Sequence, residues 1–350
     1  MRILTINTGS SSLKAGVYTL GPGLVMAREQ AGEARSLGDL PAFAAALPRL
    51  LPARPPDAIG HRIVAPLAWS EPQRLDAARL QELRARAALA PDHLPQALAA
   101  MDALTTAYPG VPQVACSDSA FHRSLPDAAR NFALPRRLQA EGVVRYGYHG
   151  LSCEYILSVL RAEDARRAAG RIVIAHLGHG ASLTAVRGSV SVDTTMGFTP
   201  LGGVPMSTRS GDLDPGILLY LLRQKAMAPE ALNRLLNQES GLLGVSGISG
   251  DMKTLLEHSA REPAAAAAVE LFVYQVRKAV GALAAALGGL DLLVFTGGIG
   301  ENAAEVRERI VRGLEWIPMQ VRVIPTDEDQ MIARHTARAL ADDPAGQRKF

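Results

Sequence analysis

Three turns that are rich in glycine and hydroxyl residues follow strand-like runs and could bind phosphate. They are NTGSSSLK at residues 7–14, HLGHGAS at 176–182 and FTGGIGEN at 295–302. Glycine lets backbone N–H groups approach phosphate oxygens, serine and threonine add donors, and Lys14 adds a point charge. The chain has no G-x-x-x-x-G-K-S/T motif and no G-x-G-x-x-G after a strand, so P-loop and Rossmann sites are unsupported. The three turns together indicate a phosphate ligand bound through other loops.

Two arginines lie where they could bind an anion. Arg209 lies in the long segment 199–215, which lacks helix or strand periodicity, and Arg62 lies in the strand-like run DAIGHRIV. Loops longer than about 12–15 residues without regular structure are uncommon and often functional. A guanidinium can bind phosphate or carboxylate in a bidentate manner. The alternatives are a solvated surface residue for Arg209 and an edge-strand charge for Arg62.

The elements that must position these residues recur along the chain. Residues 2–7 and 13–20 alternate like the two strands of a hairpin, and residues 171–177 and 183–186 form a similar hairpin around GHGAS. The recurrence predicts a duplicated domain, with chance similarity between two hairpins as the alternative.

Helices and strands alternate in the rest of the chain. Helices are predicted over residues 76–90, 94–107, 215–225, 229–238, 263–287, 303–314 and 327–342, and strands over residues 111–117 and 291–296. Asn302 and Glu305 have the spacing of a capping box, so the glycine-rich turn is expected to lead into the N-terminus of the 303–314 helix. This order of elements predicts an α/β chain of two lobes.

Length and composition exclude several classes of protein. A chain of 350 residues with 48% hydrophobic and 20% charged residues is expected to fold into about two domains. The formal charge is +3 and neither sign forms a run of five or more, so no nucleic-acid partner is expected. Cys116 and Cys153 are the only cysteines, which is typical of the cytoplasm and excludes a thiolate zinc site. The apolar runs break at Asn7 and Asp291, so neither a signal peptide nor a membrane partner is expected.

The motifs, taken in order, resemble those of the acetate kinase family, the acetate/propionate kinases. They are NTGSSSLK, GHRIV, SDSAFH, RYGYHGLS, HLGHGAS, VDTTMGFTPLGGVPMSTRSGDLDP, GVSGISGDM, FTGGIGEN and IPTDED. The resemblance implies an α/β fold with two duplicated ribonuclease-H-like lobes of the actin-like, sugar-kinase and heat-shock ATPase superfamily and a central cleft. It places residues 1–122 and 330–350 in the N-terminal lobe and residues 123–329 in the nucleotide-binding lobe.

The resemblance also implies a reaction and a role for individual residues. The reaction is reversible, Mg²⁺-dependent transfer of the ATP γ-phosphoryl group to a short-chain carboxylate such as acetate or propionate, and the family implies a homodimer. Metal binding by Mg²⁺, or alternatively Mn²⁺, is expected at Asn7 and Glu328, and catalysis at Asp118, His149 and Arg209. The expected substrate contacts are Arg62, Val64, Asp92, Tyr148 and Pro200. The expected ATP or ADP contacts are Lys14, His176, Leu177, Gly178, His179, Gly180, Asp251, Met252, Lys253, Gly298, Ile299, Gly300, Glu301 and Asn302.

Several positions depart from the pattern that the family usually shows. Ala65-Pro66-Leu67 replaces HGG, Asp92 replaces a pocket leucine, Tyr148 a pocket phenylalanine, His179 an asparagine and Lys253 an arginine. A carboxylate beside an acetate methyl group would be costly to desolvate unless it were paired. The preferred carboxylate therefore stays open, and the alternative is that Asp92 points away from the pocket.

Charge compensation is the physical requirement of the implied reaction, because an anionic carboxylate must approach an anionic phosphate. A carboxylate with a pKa near roughly 4 is already ionised at pH 7, so no general base is needed and Asp118 is assigned to metal and charge positioning. With a hydroxyl acceptor, Asp118 would instead be the base. The alternatives are a hydroxyl-directed kinase of the same superfamily and a non-catalytic, nucleotide-dependent binding protein.

Overall fold

The chain forms two compact units. The computed structural model describes residues 1–9, 12–21, 26–35, 51, 54–91 and 93–341. Unit 1 comprises the described residues of Met1–Arg123, Gly150–Tyr155 and Asp327–Phe350, and unit 2 comprises Ser124–His149 and Ile156–Thr326. Among the described residues, no helix is long and apolar enough to cross a membrane.

The strands fall into one sheet in each unit. The strands are β1 (Arg2–Thr8), β2 (Ser12–Leu20), β3 (Met26–Arg35), β4 (Ala58–Ile63), β5 (Gln73–Arg74), β6 (Gln113–Ser117), β7 (Arg171–Leu177), β8 (Ala181–Arg187), β9 (Val190–Thr194), β10 (Leu292–Thr296) and β11 (Gln320–Val323). The helices are α1 (Ala77–Ala85), α2 (Leu94–Ala107), α3 (Asp127–Arg130), α4 (Arg136–Ala140), α5 (Gly150–Glu163), α6 (Ala165–Ala168), α7 (Pro215–Arg223), α8 (Pro229–Gln238), α9 (Gly241–Ser246), α10 (Met252–His258), α11 (Pro263–Leu287), α12 (Gly297–Asn302), α13 (Ala304–Val311) and α14 (Glu328–Ala341). Two 3₁₀ helices cover Ala87–Leu89 and Ala120–Ser124.

The two sheets repeat one strand order. The order is β3-β2-β1-β4-β6-β5 in unit 1 and β9-β8-β7-β10-β11 in unit 2. In both, the first three strands form an antiparallel meander, and the first strand also pairs in parallel with the next strand of the core. The duplication that the two hairpins predict is therefore confirmed.

Most of the predicted elements are present, but several bounds differ and several elements were not predicted. Helices α2, α8 and α11 have the predicted bounds, whereas the predicted 76–90 helix ends as an α-helix at Ala85. Strand β3 and helix α5 are not in the sequence prediction. The strand reads MAREQAGEAR and lacks the alternation of apolar residues on which a strand prediction depends.

The prediction of a capping box at Asn302 and Glu305 is wrong. The GGIGEN segment is itself the short helix α12, and the Asn302 side chain donates to the Gly298 carbonyl of that helix at 2.8 Å. The N-cap residue of α13 is Ala303, which makes no side-chain capping bond, and Glu305 pairs with Arg309 at 3.4 Å. The backbone N–H groups at the start of the glycine-rich segment thus belong to α12 rather than to α13.

Helix α14 packs closely against the unit 1 sheet. It contacts β1, β4 and β6, and it buries Ile332, Ala333 and Thr336. Gly60 on β4 allows this approach, because a Cβ atom there would collide with the side chains of Ile332 and Thr336. Burying an isoleucine side chain such as that of Ile332 contributes about 1.5–3 kcal/mol. This packing holds the N-terminus of α14, and Glu328 with it, at the sheet.

His61 is buried beside Gln113 on the neighbouring strand. Its Nε2–H donates to the Gln113 Oε1 at 2.6 Å, and the Gln113 amide donates to the Met101 carbonyl and the Thr105 hydroxyl. Burial lowers the pKa of His61 to about 4, and the Gln113 hydrogen bond offsets only part of this shift. The folded chain therefore carries a neutral imidazole at this position near pH 7.

The neutral state of His61 predicts a pH dependence of stability. The unfolded chain takes up a proton near pH 6.5 and the folded chain only near pH 4, so stability is present above pH 6.5 and is lost as the pH falls between these values. The largest slope is about 1.4 kcal/mol per pH unit. Denaturant unfolding at pH 7.5, 6.5 and 5.5 should give a steeper loss for the wild-type chain than for His61→Asn. Equal slopes would show that the buried imidazole is not neutral.

Candidate active site

Four polar side chains meet at one edge of the unit 1 sheet, and we call them the arginine–carboxylate cluster: Asn7, Arg62, Asp118 and Glu328. Strands β1, β4 and β6 are parallel neighbours, and the first three of these residues lie at or just beyond their carboxyl ends. Glu328 is the first residue of α14. The carboxyl ends of parallel strands are the usual location of ligand sites in α/β sheets.

Arg62 is the centre of this cluster. Its Nη1 donates to the Asn7 Oδ1 at 3.1 Å and to the Glu328 Oε2 at 2.9 Å, and its Nη2 donates to the Asp118 Oδ2 at 2.9 Å. The Asn7 amide nitrogen also donates to Glu328 at 3.0 Å. Burial alone would lower the pKa of Arg62, but the two carboxylates outweigh it and the pKa is raised. The guanidinium is therefore a permanent buried cation.

The Nε–H of Arg62 can donate to a ligand. Among the described residues, its Nε atom is buried and has no hydrogen-bond partner. A buried N–H of a cation without an acceptor is costly, because desolvation is not compensated. A carboxylate oxygen is the acceptor that a guanidinium binds best.

The backbone around Asp118 is tightly held. Its N–H donates to the Ile63 carbonyl at 2.9 Å, and its carbonyl accepts from the Gly150 N–H at 2.8 Å. A side chain at position 150 would collide with the Asp118 carbonyl, so glycine is required there. This contact joins the RYGYHGLS and SDSAFH motifs through Gly150, the first residue of α5. Asp118 itself is completely buried.

The oxygen atoms of the arginine–carboxylate cluster fit a magnesium ion. The described residues contain no group of three or more His, Cys, Asp or Glu side chains arranged to hold a metal. Mg²⁺ does not need such a cage, because it is usually bound through one or two carboxylates, waters and substrate phosphates. Glu328, Asp118 and the Asn7 amide oxygen supply oxygen ligands of this type.

Unit 2 carries a second group of polar side chains, the histidine–arginine cluster: His149, His176, Ser182 and Arg209. The rings of His149 and His176 stack at 4.1 Å with 24° between their planes, and the His149 Nδ1 lies 2.9 Å from the Ser182 hydroxyl. His149 adopts a left-handed backbone with φ of 58°, which costs free energy for a residue other than glycine. That conformation begins α5 and is held by the contacts of the ring.

Gly180 brings Arg209 and His149 to the turn after β7. A Cβ atom at Gly180 would lie 3.3 Å from the His149 Nε2 and 3.4 Å from the Arg209 Nη1. Arg209 is buried and donates to the Pro200 carbonyl at 3.1 Å. The two cationic or donor groups thus face one glycine backbone, which is an arrangement suited to an anion.

His179 lies next to this glycine and is exposed. Desolvation by the surrounding protein, followed by repulsion from Arg209, lowers its pKa below the ordinary histidine value. The ring therefore adds no positive charge to the cluster at neutral pH.

The two glycine-rich segments of unit 2 lie beside each other. Strands β7 and β10 are parallel neighbours, and His176 and Thr296 are partners at their carboxyl ends. A Cβ atom at Gly297 would lie 2.9 Å from the Leu177 carbonyl, and one at Gly178 would lie 3.8 Å from the Gly298 nitrogen. Gly297 has φ of 76°, so glycine is favoured there on both grounds. Backbone N–H groups of both turns are close enough to share one ligand.

The remaining residues implied by the resemblance have varied surroundings. Glu301 accepts from the Gly297 and Thr326 N–H groups. Asp251 caps α10 through Thr254, Met252 is buried and Lys253 is exposed. Gly300 is buried, Ile299 is half-buried, and Lys14 is exposed as the register partner of Asn7.

Among the implied substrate contacts, Tyr148 and Val64 are buried and Asp92 lies outside the described residues. The Tyr148 hydroxyl donates to the Phe198 carbonyl at 2.8 Å.

Two residues with a place in these clusters were missed by the sequence analysis. Ser182 holds the His149 ring, and it lies within the quoted GHGAS turn, but no spacing pattern shows which ring it contacts. Asp329 lies beside Glu328 within IPTDED and pairs with Arg28 at 3.4 Å. Burial, followed by repulsion from neighbouring carboxylates, raises the pKa of Asp329 to about 6.

Each unit of the duplicated fold thus contains a polar cluster with a buried arginine, which suits an anionic ligand. A family model described as the acetokinase family matches residues 54–322. The acetate kinase of Methylocella silvestris is 42% identical, over 98% of this chain and 98% of that one.

Solved structures of high similarity agree with this match. The Porphyromonas gingivalis acetate kinase has a TM-score of 0.84 at 30% identity, over 97% of this chain and 99% of that one. A Francisella tularensis propionate kinase has a TM-score of 0.82 at 30% identity, over 96% of this chain and 99% of that one. The chain belongs to the acetokinase family, and it is a phosphotransferase with a carboxyl group as acceptor. The family depends on ATP and normally on a divalent metal.

The contact between His149 and Ser182 predicts an effect on turnover. Replacing Ser182 with alanine removes a buried hydrogen bond worth about 0.5–1.5 kcal/mol and frees the ring to rotate. We expect Ser182→Ala to lower kcat about tenfold, with a small change in melting temperature. Ser124→Ala, which removes a hydrogen bond to the Ser191 carbonyl in the same unit, should keep wild-type kcat. An unchanged kcat in Ser182→Ala would show that this contact does not orient His149 for the reaction.

Proposed function

We propose that the chain uses ATP and Mg²⁺ to phosphorylate a short-chain carboxylate reversibly, and that the two clusters have separate tasks. The arginine–carboxylate cluster binds the carboxylate and the metal, and the histidine–arginine cluster with the glycine turns binds the phosphates. The unit that contains these turns is the nucleotide-binding lobe of the proposal. The observation that carries it is the buried Arg62 Nε–H, which has no hydrogen-bond partner among the described residues.

Arg62 is the proposed carboxylate ligand. Its Nε–H is buried, and its charge is maintained by Asp118 and Glu328, so an anionic substrate meets a donor that is already oriented. Val64 and Tyr148 are buried apolar or aromatic residues, as a substrate methyl group requires. With Pro200, they remain proposed contacts of the substrate.

Asp118 is proposed to act by position and charge rather than as a base. A short carboxylic acid has a pKa near roughly 4 and needs no deprotonation at neutral pH. The Asp118 carboxylate accepts from Arg62 at 2.9 Å and lies beside the Asn7 and Glu328 side chains, where it would help to hold Mg²⁺. The bound metal would offset the negative charge of the transferred phosphoryl group. This role gives the buried Asp118 carboxylate a task in a reaction whose substrate needs no deprotonation.

The phosphates of ATP or ADP are proposed to bind at the carboxyl ends of β7 and β10. The proposed donors are the backbone N–H groups of His179 and Gly180 and those of Gly298 to Gly300 at the start of α12, and Arg209 and His149 face Gly180. An arginine so placed can stabilise the equatorial oxygens of the phosphoryl group during transfer. Asp251, Met252 and Lys253, together with Lys14, remain proposed contacts of the rest of the nucleotide.

Acetate, propionate or a related short acid is the proposed acceptor. This class is supported by the similarity to both an acetate kinase and a propionate kinase. The carboxylates themselves can be ranked by ATP consumption with formate, acetate, propionate and butyrate. A cytoplasmic location is also proposed, and it is supported by the buried thiols of Cys116 and Cys153, since reducing compartments preserve thiols.

Removal of either arginine tests the assignment. With ATP, Mg²⁺, acetate and hydroxylamine, the wild-type chain should form acetyl hydroxamate, because hydroxylamine traps acyl phosphates. Arg62→Ala and Arg209→Ala should each lower kcat/KM for this reaction by at least about 10³. Arg62→Lys and Arg209→Lys should recover little, since the planar fork is lost.

Arg84→Ala is a matched control, because Arg84 is exposed and pairs with Asp102. It should keep wild-type activity. Near-wild-type hydroxamate formation in both alanine variants at positions 62 and 209 would contradict the proposed function, and a product that hydroxylamine does not trap would favour a hydroxyl acceptor.

A homodimer is the proposed assembly. Helix α7 reads PGILLYLLR, yet none of its residues is buried, and Ile217, Leu219 and Tyr220 are exposed. An apolar helix face of this kind is typical of a protein–protein interface. A second copy of the chain is the proposed occupant, as the family resemblance implies.

The α7 face predicts the effect of a single charge. Light scattering after size exclusion should give the wild-type chain about twice the mass of one 37.1 kDa chain. Leu219→Glu should reduce the mass to that of one chain, because a carboxylate cannot be buried unpaired in an apolar interface. Leu89→Glu, which changes an exposed apolar residue of unit 1, should leave the mass unchanged. A monomeric wild-type chain would contradict the proposal.

A further inference from the structure

Tyr18 and Arg28 connect the outer strands of unit 1 to the start of α14. They are register partners on β2 and β3. The Arg28 Nε donates to the Tyr18 hydroxyl at 2.9 Å, and this hydroxyl donates to the Asp327 Oδ1 at 3.1 Å. The Arg28 Nη2 also reaches Asp327 and Asp329, each at 3.4 Å. Both neighbours of Glu328 in the chain are therefore held from the sheet.

The first turn of α14 makes further contacts besides those with Tyr18 and Arg28. Asp327 Oδ1 accepts from the Gln330 N–H at 2.9 Å, which stabilises the first turn of α14. Asp329 is buried. Glu328 lies between these two residues and pairs with Arg62 and Asn7 on the other side. The contacts that fix Asp327 and Asp329 can therefore also orient the Glu328 carboxylate between them.

The two arginines pair with three neighbouring carboxylates at the start of α14. Asp327, Glu328 and Asp329 are three consecutive acidic residues, and like charges at this distance repel one another. Arg28 pairs with the outer two, and Arg62 pairs with the middle one. Without Arg28, the outer carboxylates would compete for the Asn7 amide and for Arg62, and Glu328 would lose its fixed direction.

We propose that Tyr18 and Arg28 are positioning residues for Glu328, and that they set the affinity of the chain for the divalent metal. This inference rests on the proposed function, because it takes Glu328 and Asn7 as metal ligands. Neither residue touches substrate or metal in the proposal, and both act through Asp327 and Asp329. Residues that orient metal ligands in this way typically change metal affinity by about 10–100-fold when they are removed.

Metal affinity without turnover provides the test. Binding of Mn²⁺ in the presence of ADP, measured by the electron paramagnetic resonance of the free ion, should weaken about tenfold in Tyr18→Phe and in Arg28→Gln. Arg28→Lys should bind with intermediate affinity, because the charge is kept and the Nε contact to Tyr18 is lost. In steady state, the metal concentration for half activity should rise in the same variants, while KM for acetate should stay near the wild-type value.

Glu29→Gln is the matched control, since Glu29 follows Arg28 on the same strand and pairs with Arg2 rather than with the α14 turn. It should keep wild-type Mn²⁺ affinity. Wild-type affinity in both Tyr18→Phe and Arg28→Gln, or an equal loss in Glu29→Gln, would overturn the positioning role.

An error in the proposed metal site and an error in the positioning role would give different binding results. If Glu328→Gln abolished Mn²⁺ binding while Tyr18→Phe and Arg28→Gln bound normally, the metal site would stand and only the positioning role would be wrong. If the wild-type chain and Glu328→Gln bound Mn²⁺ with ADP equally well, both the metal site and the inference drawn from it would be wrong. Arg28 is partly exposed, so its variants keep the test valid even if Tyr18→Phe is unstable.

Discussion

The buried guanidinium of Arg62 is the interaction on which the functional edge of unit 1 depends. It bonds to Asp118 and Glu328, which come from distant parts of the chain and would repel each other without it. An uncompensated buried charge costs several kcal/mol, so the cluster stays closed only while both signs are present. The same cation is also the group suited to an incoming carboxylate. In the proposed function, this one side chain would therefore serve both structural integrity and substrate recognition.

In unit 2 the proposed phosphate ligands are mostly backbone groups rather than paired charges. A Cβ atom at Gly297 would lie 2.9 Å from the Leu177 carbonyl oxygen, and one at Gly180 would crowd His149 and Arg209, so glycine at these two positions allows the close approach. Backbone N–H groups cannot lose their donor character with pH or be neutralised by a nearby carboxylate. They suit a ligand whose charge changes during the reaction, because the donors themselves do not reorganise.

Local pattern was enough for much of the fold and for the choice of Arg62 as an anion ligand, whereas the roles of Asn7 and Asp118 came from the family resemblance. Asn7, Arg62 and Asp118 each follow or end a strand, and parallel pairing alone brings such positions to one edge. Glu328 joins them across a separation of 266 residues from Arg62, which no periodicity encodes, and its assignment came from the family motif. The capping box failed because Asn302 satisfied the carbonyl of its own short helix instead. Strand β3 was missed because pairing with β2, and not apolar alternation, makes it a strand.

The repeated strand order has a consequence for how this architecture can change over evolutionary time. Both sheets keep the same order for the three-stranded meander and the next parallel strand, so a duplication would have supplied two scaffolds that could accumulate substitutions separately. Departures such as Ala65-Pro66-Leu67 fall in the first copy and leave the strands of the second copy unchanged.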